Sequence, residues 1–383
     1  MQFKNFDIAA FLRDSWQKKP LFLKNPWTAW HNPIEPDELA GLAVEEGIES
    51  RLVIRSNNAW QLEHGPLPDD RFDTLGNKHW TLLVQAVDHY VPEVAALIEP
   101  FRFIPNWRID DVMVSFAAEE GGVGPHFDQY DVFLIQGAGK RRWQVGGHCD
   151  ENSPLMPHDE LRLLADFEAE ENFVCEPGDI LYIPPGVSHN GVAMGEDCMT
   201  YSVGFRAPSR SDLIGHWADD LLAEMQDDDR YADPELAIQS NPGEISSGAL
   251  DRLHAMITEK MGDRQAFARW FGQYSSTPKY TEMDWQPEQK LAPQELREKL
   301  QQGVPLRCNP ASRFSFIRTD AEKLLLFVDG QTMECTGDAI PFAEILCAEA
   351  LVTMDEPFAI SDSTINLIVD LYNRGSVAFE PLD

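Results

Sequence analysis

In the segment Gly124-Pro125-His126-Phe127-Asp128, an imidazole and a carboxylate stand two residues apart. On extended backbone that spacing turns both side chains to one face, so His126 and Asp128 can supply two ligands to a single metal ion. A third must come from elsewhere in the chain. His189 is the leading candidate, because it follows the apolar run Ile180 to Ile183 and the rigid turn Pro184-Pro185-Gly186, which fixes the backbone ahead of it. Two imidazoles and one carboxylate occupy one face of an octahedral ion and leave three positions open. Soft thiolate ligands are missing from this set, which disfavours a structural zinc site. The other eight histidines (His31, His64, His79, His89, His148, His158, His216 and His254) have no such partners and read as surface or satisfied core.

Open positions beside a two-histidine, one-carboxylate set suit Fe(II) chemistry in which a co-substrate and O2 bind side by side. A co-substrate that is an organic acid needs a cation for its far carboxylate. Lys140-Arg141-Arg142 supplies candidates, and an Arg can grip a carboxylate with a two-pronged fork. Strand alternation puts Arg141 on the face opposite Lys140 and Arg142, so only one of these sets can point inward.

The elements that would hold these groups are short strands closed by Gly and Pro turns, a pattern that predicts a barrel. Val112, Val114 and Phe116 alternate with polar or flexible neighbours. Asp131 to Gln136 is β-rich and Gly137-Ala138-Gly139 reads as a turn before Trp143-Gln144-Val145. Thr200 to Phe205 reads as a further strand. Two helices are expected ahead of the barrel, over Pro36 to Ala43 and over Trp80 to His89. The densest acidic stretch, Asp150 to Glu171, reads as a solvated loop and surface helix.

Beyond Pro208 the texture becomes helical. Leu213, Ile214, Trp217, Leu221, Leu222 and Met225 form one stripe, and Leu250, Leu253, Met256 and Ile257 form another between about Ser247 and Met261. Such faces are usually core; pairing between subunits is the alternative. A Pro-rich linker leads to a third unit with a helix over Gln294 to Gln301 and strands over Arg313 to Ile317 and Leu324 to Val328. A hairpin turn is expected at Asp329-Gly330, helices over Pro341 to Thr353 and Thr364 to Asn373, and a last strand at Val377 to Phe379. This order of parts is winged-helix-like. Residues 281–383 carry a formal charge of -10, so the cationic face of a DNA reader is absent.

The whole chain of 383 residues carries 64 Asp and Glu against 31 Lys and Arg, a formal charge of -33. The excess is shared almost equally between the two halves. It argues against sequence-independent nucleic-acid binding and suits a basic partner or substrate. The six cysteines form no CxxC pair, and no stretch of about 18 apolar residues runs uninterrupted. A reducing cytoplasm and no membrane span are the expectation.

Several long motifs then carry a resemblance. They are FLRDSWQKKPLFLKN near the N-terminus, WRIDDVMVSF, GGVGPHFDQYDVFLIQGAGKRRWQVG, EPGDILYIPPGVSHNG and YSVGFRAP. In these the chain resembles the JmjC-type 2-oxoglutarate oxygenases of the cupin family and, among them, the bacterial ribosomal-protein arginine hydroxylases. The resemblance covers nearly all of residues 6–208, and is looser beyond. It implies an α+β fold: a double-stranded β-helix catalytic domain over 1–208, a helical dimerisation segment over 209–278, and a winged-helix-like domain over 279–383. It implies Fe(II) on His126, Asp128 and His189, and 2-oxoglutarate on that metal with its far carboxylate at Arg141. Ser115 and Thr200 are further candidates for the 2-oxoglutarate pocket. With O2 as oxidant, the implied reaction hydroxylates the β-carbon of an arginine in the basic large-subunit ribosomal protein L16, yielding succinate and CO2. Glu119, Glu120 and Tyr130 are candidate contacts for the substrate guanidinium. Rival readings are a hydroxylase of a histidine in another basic protein, and a metal-binding cupin scaffold without turnover.

Overall fold

The structure is a computed structural model that describes residues 1–56, 59–226, 229–353 and 360–380. The chain divides into two compact units. One comprises Met1–Ala207 with Lys279–Trp285 and Asn309–Ala311; the other comprises Pro208–Pro278, Gln286–Cys308 and Ser312–Asp383. The sequence placed Lys279–Trp285 at the start of a third domain. Here that segment belongs to the first unit, where the Lys279 Nζ reaches Asp110 (3.1 Å) and Asp111 (2.9 Å).

The first unit opens with α1 (Ile8–Asp14), capped by the Asp7 side chain at the Ala10 amide, β1 (Leu21–Leu23) and α2 (Pro36–Val44). Strands β2 (Ser50–Ser56), β3 (Ala59–His64) and β4 (Trp80–Val84) follow, then the short α3 (Pro92–Ala95) and β5 (Ile109–Ala117). The remaining strands are β6 (Val132–His148), β7 (Ala169–Cys175), β8 (Ile180–Ile183) and β9 (Val187–Phe205). All nine join one antiparallel sheet in the order β1-β8-β6-β9-β5-β4-β2-β3, with β7 added beside β6. The fold is the expected double-stranded β-helix.

Two apolar layers fix it. Phe133, Ile135, Tyr182, Tyr201, Val203 and Phe205 turn outward and bury against Phe11, Leu39, Leu97 and Phe101 of the preceding segments. Val132, Leu134, Trp143, Val145, Cys175, Leu181 and Ile183 turn inward as a separate cluster. The inward set on β6 thus has even numbers before Gly137 and odd numbers after Gly139. Register breaks at Gln136/Ala138 and Ala138/Lys140 make that switch. Gly137-Ala138-Gly139 is therefore a bulged passage within one long strand, and not the expected turn. Gly139 has φ +59, and a Cβ on it would sit 2.2 Å from the Asp197 carbonyl oxygen.

Other expectations are corrected here. Trp80 to His89 is not a helix: β4 is followed by a 3-10 turn over Val87–His89. Lying between β2 and β5, β4 is buried on both faces, which erases the alternation that marks a strand. Left-handed Ala86 (φ 51) then turns the chain. The acidic stretch forms turns, a bridge between Leu155 and Leu164, and the start of β7, without a surface helix. Leu163 and Leu164 are buried, so this loop is pinned to the barrel.

In the second unit, α4 (Arg210–Glu224) starts on a reciprocal Ser209–Asp212 cap, and α5 (Ser247–Met261) and α6 (Arg264–Ser276) follow. Next come α7 (Pro293–Gln301), β10 (Leu306–Cys308), β11 (Phe314–Arg318), β12 (Lys323–Val328), β13 (Gln331–Thr336), α8 (Ala339–Ala348), β14 (Leu351–Val352), α9 (Asp362–Asn373) and β15 (Val377–Phe379). Two three-stranded sheets result, β14-β10-β15 and β11-β12-β13. Asp329 and Gly330 both have positive φ (50 and 77), the twist a two-residue hairpin needs. The helix expected over Pro341 to Thr353 stops at Ala348, because Leu351–Val352 pairs with β10 instead.

Candidate metal centre and active site

His126 and Asp128 do not lie on a regular strand. They sit in the loop between β5 and β6, and His126 alone forms a bridge, to His189 on β9. The two backbones exchange both hydrogen bonds, His126 N–H to the His189 carbonyl (3.0 Å) and His189 N–H to the His126 carbonyl (2.8 Å). Asp128 accepts the Gly186 amide at its own carbonyl (2.7 Å), which ties the loop to the turn ahead of His189. The Pro-Pro-Gly turn therefore positions two ligands rather than one.

Within this frame the Asp128 Oδ2 lies 3.6 Å from His189 Nε2 and 3.9 Å from His126 Nε2. One ligand atom from each residue falls within 4.8 Å of the others, and among the described residues this is the one group of three such side chains. Each imidazole places Nδ1 against a carbonyl oxygen: His126 on Gly124 (2.9 Å) and His189 on Val187 (3.1 Å). A carbonyl only accepts, so Nδ1 carries the proton and the Nε2 lone pair faces the centre. His189 is 2% exposed, whereas His126 and Asp128 are 23% and 22% exposed, which leaves the centre open on their side. Burial, then the neighbouring His126 ring, pull the His189 imidazole down to about 4 against the opposing effect of Asp128. It is thus neutral and able to ligate near pH 7.

The donor set fits a hexacoordinate divalent ion. Adjacent donors on such an ion, at bonds of about 2.1 Å, are roughly 3 Å apart, so a small contraction of the observed triangle admits it.

Further along the inward face of β6 stands Arg141, 4% exposed, with Nε 3.4 Å from Cys198 Sγ and its guanidinium carbon 5.5 Å from the Trp143 ring centre. Its Nη2 is buried without a hydrogen-bond partner. An unpaired buried guanidinium donor is costly, and an anion inside the barrel satisfies it. Lys140 instead points outward to Glu176 (2.7 Å), and Arg142 is exposed. Ser115 and Thr200 face each other across β5 and β9, both buried, the Ser115 hydroxyl 3.5 Å from the Thr200 carbonyl. The Thr200 hydroxyl donates to Gln136 Oε1 (3.3 Å).

The three candidate substrate contacts separate. Tyr130, 43% exposed as a residue, meets Asp128 with its hydroxyl; desolvation around that hydroxyl and then the carboxylate raise its titration above the usual tyrosine range. Glu119 is held by Lys78 (2.7 Å), and Glu120, at φ 59, lies 3.8 Å from Lys78 and 3.6 Å from His79. Sequence reading passed over Gln136, Cys198 and Trp143. Trp143 shares Arg141's face, its ring 5.9 Å from that of His189, and its indole N–H is buried without a partner. Alternation from Arg141 contained that signal.

Comparison with known proteins gives the family. A JmjC domain matches residues 96–213 and a ROXA-like winged helix matches residues 259–378. The chain is 44% identical over 296 residues to the ribosomal protein uL16 3-hydroxylase of Escherichia coli, covering 77% of this chain and 78% of that one. The chain belongs to the JmjC-domain ribosomal oxygenases. Its fold superposes on the X-ray structure of E. coli YcfD with a TM-score of 0.90 at 38% identity, covering 99% of this chain and 100% of that one. E. coli YcfD in complex with cobalt and 2-oxoglutarate gives a TM-score of 0.86 at 37% identity, covering 99% of both chains.

Proposed function

We propose that this ribosomal oxygenase is an Fe(II)- and 2-oxoglutarate-dependent hydroxylase of the β-carbon of an arginine in ribosomal protein uL16. The observation that carries the reading is the open-faced His126, Asp128 and His189 triangle in the same barrel as the orphan Nη2 of Arg141. A non-catalytic scaffold needs no buried guanidinium with an unpaired nitrogen.

In this reading His126, Asp128 and His189 hold the metal on one face, and Arg141 takes the far carboxylate of 2-oxoglutarate with the help of Ser115 and Thr200. With both bound, decarboxylation of 2-oxoglutarate by O2 to succinate and CO2 supplies the oxidising power that inserts one oxygen atom into a C–H bond. The protein's share is placement. The two Nδ1–carbonyl contacts keep each Nε2 aimed inward, and the inward apolar cluster keeps water from the oxidising centre. Tyr130 stands beside Asp128 at the open side, suited to line the path of the target side chain. Glu119 and Glu120 join that path by exchanging Lys78 for the substrate.

We further propose that the chain works as a homodimer in the cytoplasm through residues 209–278, with the winged-helix end formed by the part of the second unit that follows Trp285. Ile214, Leu222, Leu250 and Ile257 are 51%, 63%, 54% and 61% exposed, an apolar surface suited to a second copy. Among the described residues no helix is long and apolar enough to cross a membrane.

The test is incubation with iron, 2-oxoglutarate and uL16, read by mass spectrometry. A 16 Da gain on one arginine, lost in His126→Ala, is expected; succinate formation without that gain overturns the substrate assignment. Sedimentation of the chain as a monomer at micromolar concentration overturns the dimer.

A further inference from the structure

The register of the barrel places one more charged residue in line with the metal centre. His126 bridges His189, His189 is the Cα partner of Val145 on β6, and Val145 is the Cα partner of Glu171 on β7. Directly paired residues of an antiparallel sheet project to the same face. Val145 and Cys175 belong to the inward cluster and Phe173 packs against it; Phe173 and Cys175 lie two and four residues on from Glu171 along β7 and so share its face. Glu171 therefore stands on the inner face of the barrel, at its rim, in the row that carries two of the three ligands. It is exposed, and among the described residues no ion pair involves it.

We infer that Glu171 is a specificity-determining residue that holds a cationic side chain of the substrate beside the metal centre. The inference rests on the basic-protein reading given above and goes beyond it by naming the group that reads the charge. Each step between paired strands is about 5 Å, so Glu171 lies about 10 Å from His189 across the row. Extended chain covers about 3.3–3.6 Å per residue. A cation within about three residues of the hydroxylated position therefore comes within reach of Glu171, or the target's own guanidinium does. Glu119, by contrast, already has Lys78 at 2.7 Å. The indole N–H of Trp143, buried and unpaired on the same inner face, offers a donor to the backbone of a segment lying along this row.

The experiment measures binding of a uL16 fragment to the metal-loaded, 2-oxoglutarate-bound protein by calorimetry, at low and high salt. Glu171→Gln is expected to weaken binding about three- to fivefold, the size of one exposed charge pair, with a smaller loss on raising salt than the wild type shows. Glu171→Asp is expected to recover part of that loss. Glu196→Gln, the same charge change farther along β9, serves as the control. Neutralising single cations of the fragment should identify one position at which the Glu171→Gln effect disappears. Unchanged fragment affinity, or an equal loss in Glu196→Gln, overturns the inference. So does weakened 2-oxoglutarate binding in Glu171→Gln, which marks a structural defect. If the wild-type protein binds the fragment through Glu171 but never hydroxylates it, this inference stands and the hydroxylase reading falls.

Discussion

His126 and His189, 63 positions apart in the chain, exchange both backbone hydrogen bonds at 3.0 and 2.8 Å. The pair is an isolated bridge, so the metal centre depends on the loop that presents His126 more than a centre built wholly on regular strands would. Gly124 sets that loop. It has φ +87, its carbonyl accepts the hydrogen bond from His126 Nδ1–H, and a Cβ on it would meet Trp60 at 2.9 Å and Leu163 at 3.1 Å. Gly124→Ala is expected to fold but to bind metal about 10- to 100-fold more weakly, the usual cost of losing a ligand's orienting partner. Metal titration followed by calorimetry measures this, and affinity equal to the wild type's would show that the loop tolerates the change.

Arg141 gives a second expectation. A charge-assisted hydrogen bond contributes about 1.5–3 kcal/mol, so Arg141→Met should raise the 2-oxoglutarate dissociation constant at least about tenfold. Metal binding at the triad should survive, because Arg141 touches none of the three ligands. Arg141→Lys should recover little, since a point charge cannot reproduce the buried fork. Fluorescence or calorimetric titration of 2-oxoglutarate into the metal-loaded variants decides it.

Lys279 predicts a pH-dependent stability. It is the counter-charge for Asp110 and Asp111, and Asp88, with His89 beside it, is buried next to them. Burial raises the carboxyls of Asp111 and Asp88 above the usual range, and the acids in turn raise Lys279. A carboxyl raised in the folded state destabilises it when ionised, and that penalty fades as pH falls through the folded value. Lys279→Met strands these carboxylates, so it should cost about 3 kcal/mol near neutral pH. The deficit should shrink steadily on acidification. Urea unfolding of both proteins across the acid range tests the sign; a deficit that grows in acid would refute it.

The charge of -33 makes a kinetic prediction. Attraction between an acidic enzyme and a basic protein is screened over about 8–10 Å at physiological salt. The KM for intact uL16 should therefore rise with ionic strength while the KM for 2-oxoglutarate, held by buried Arg141, changes less. Steady-state kinetics at several salt concentrations read this directly. A KM for uL16 indifferent to salt would reduce the acidity to a solubility trait.

Much of the centre was legible in the sequence. The spacing of His126 and Asp128 marked them as one ligand pair on any extended backbone, and the Pro-Pro-Gly turn marked His189 as pre-set. Chain-local signals such as caps, hairpin turns and helical stripes placed α2, α5, α7 and the Asp329-Gly330 hairpin, because such features depend on neighbours a few residues away. Tertiary structure decided the rest. β4 was mistaken for a helix because a strand covered on both faces loses its alternation. Arg141 turned inward because bulges at Gly137–Gly139 reset the parity of β6, a change written in the partner strand's register and not in the residues' own pattern. Glu171 entered the metal row only through two successive strand pairings, and pairing between segments far apart in sequence is settled by the closure of the barrel as a whole.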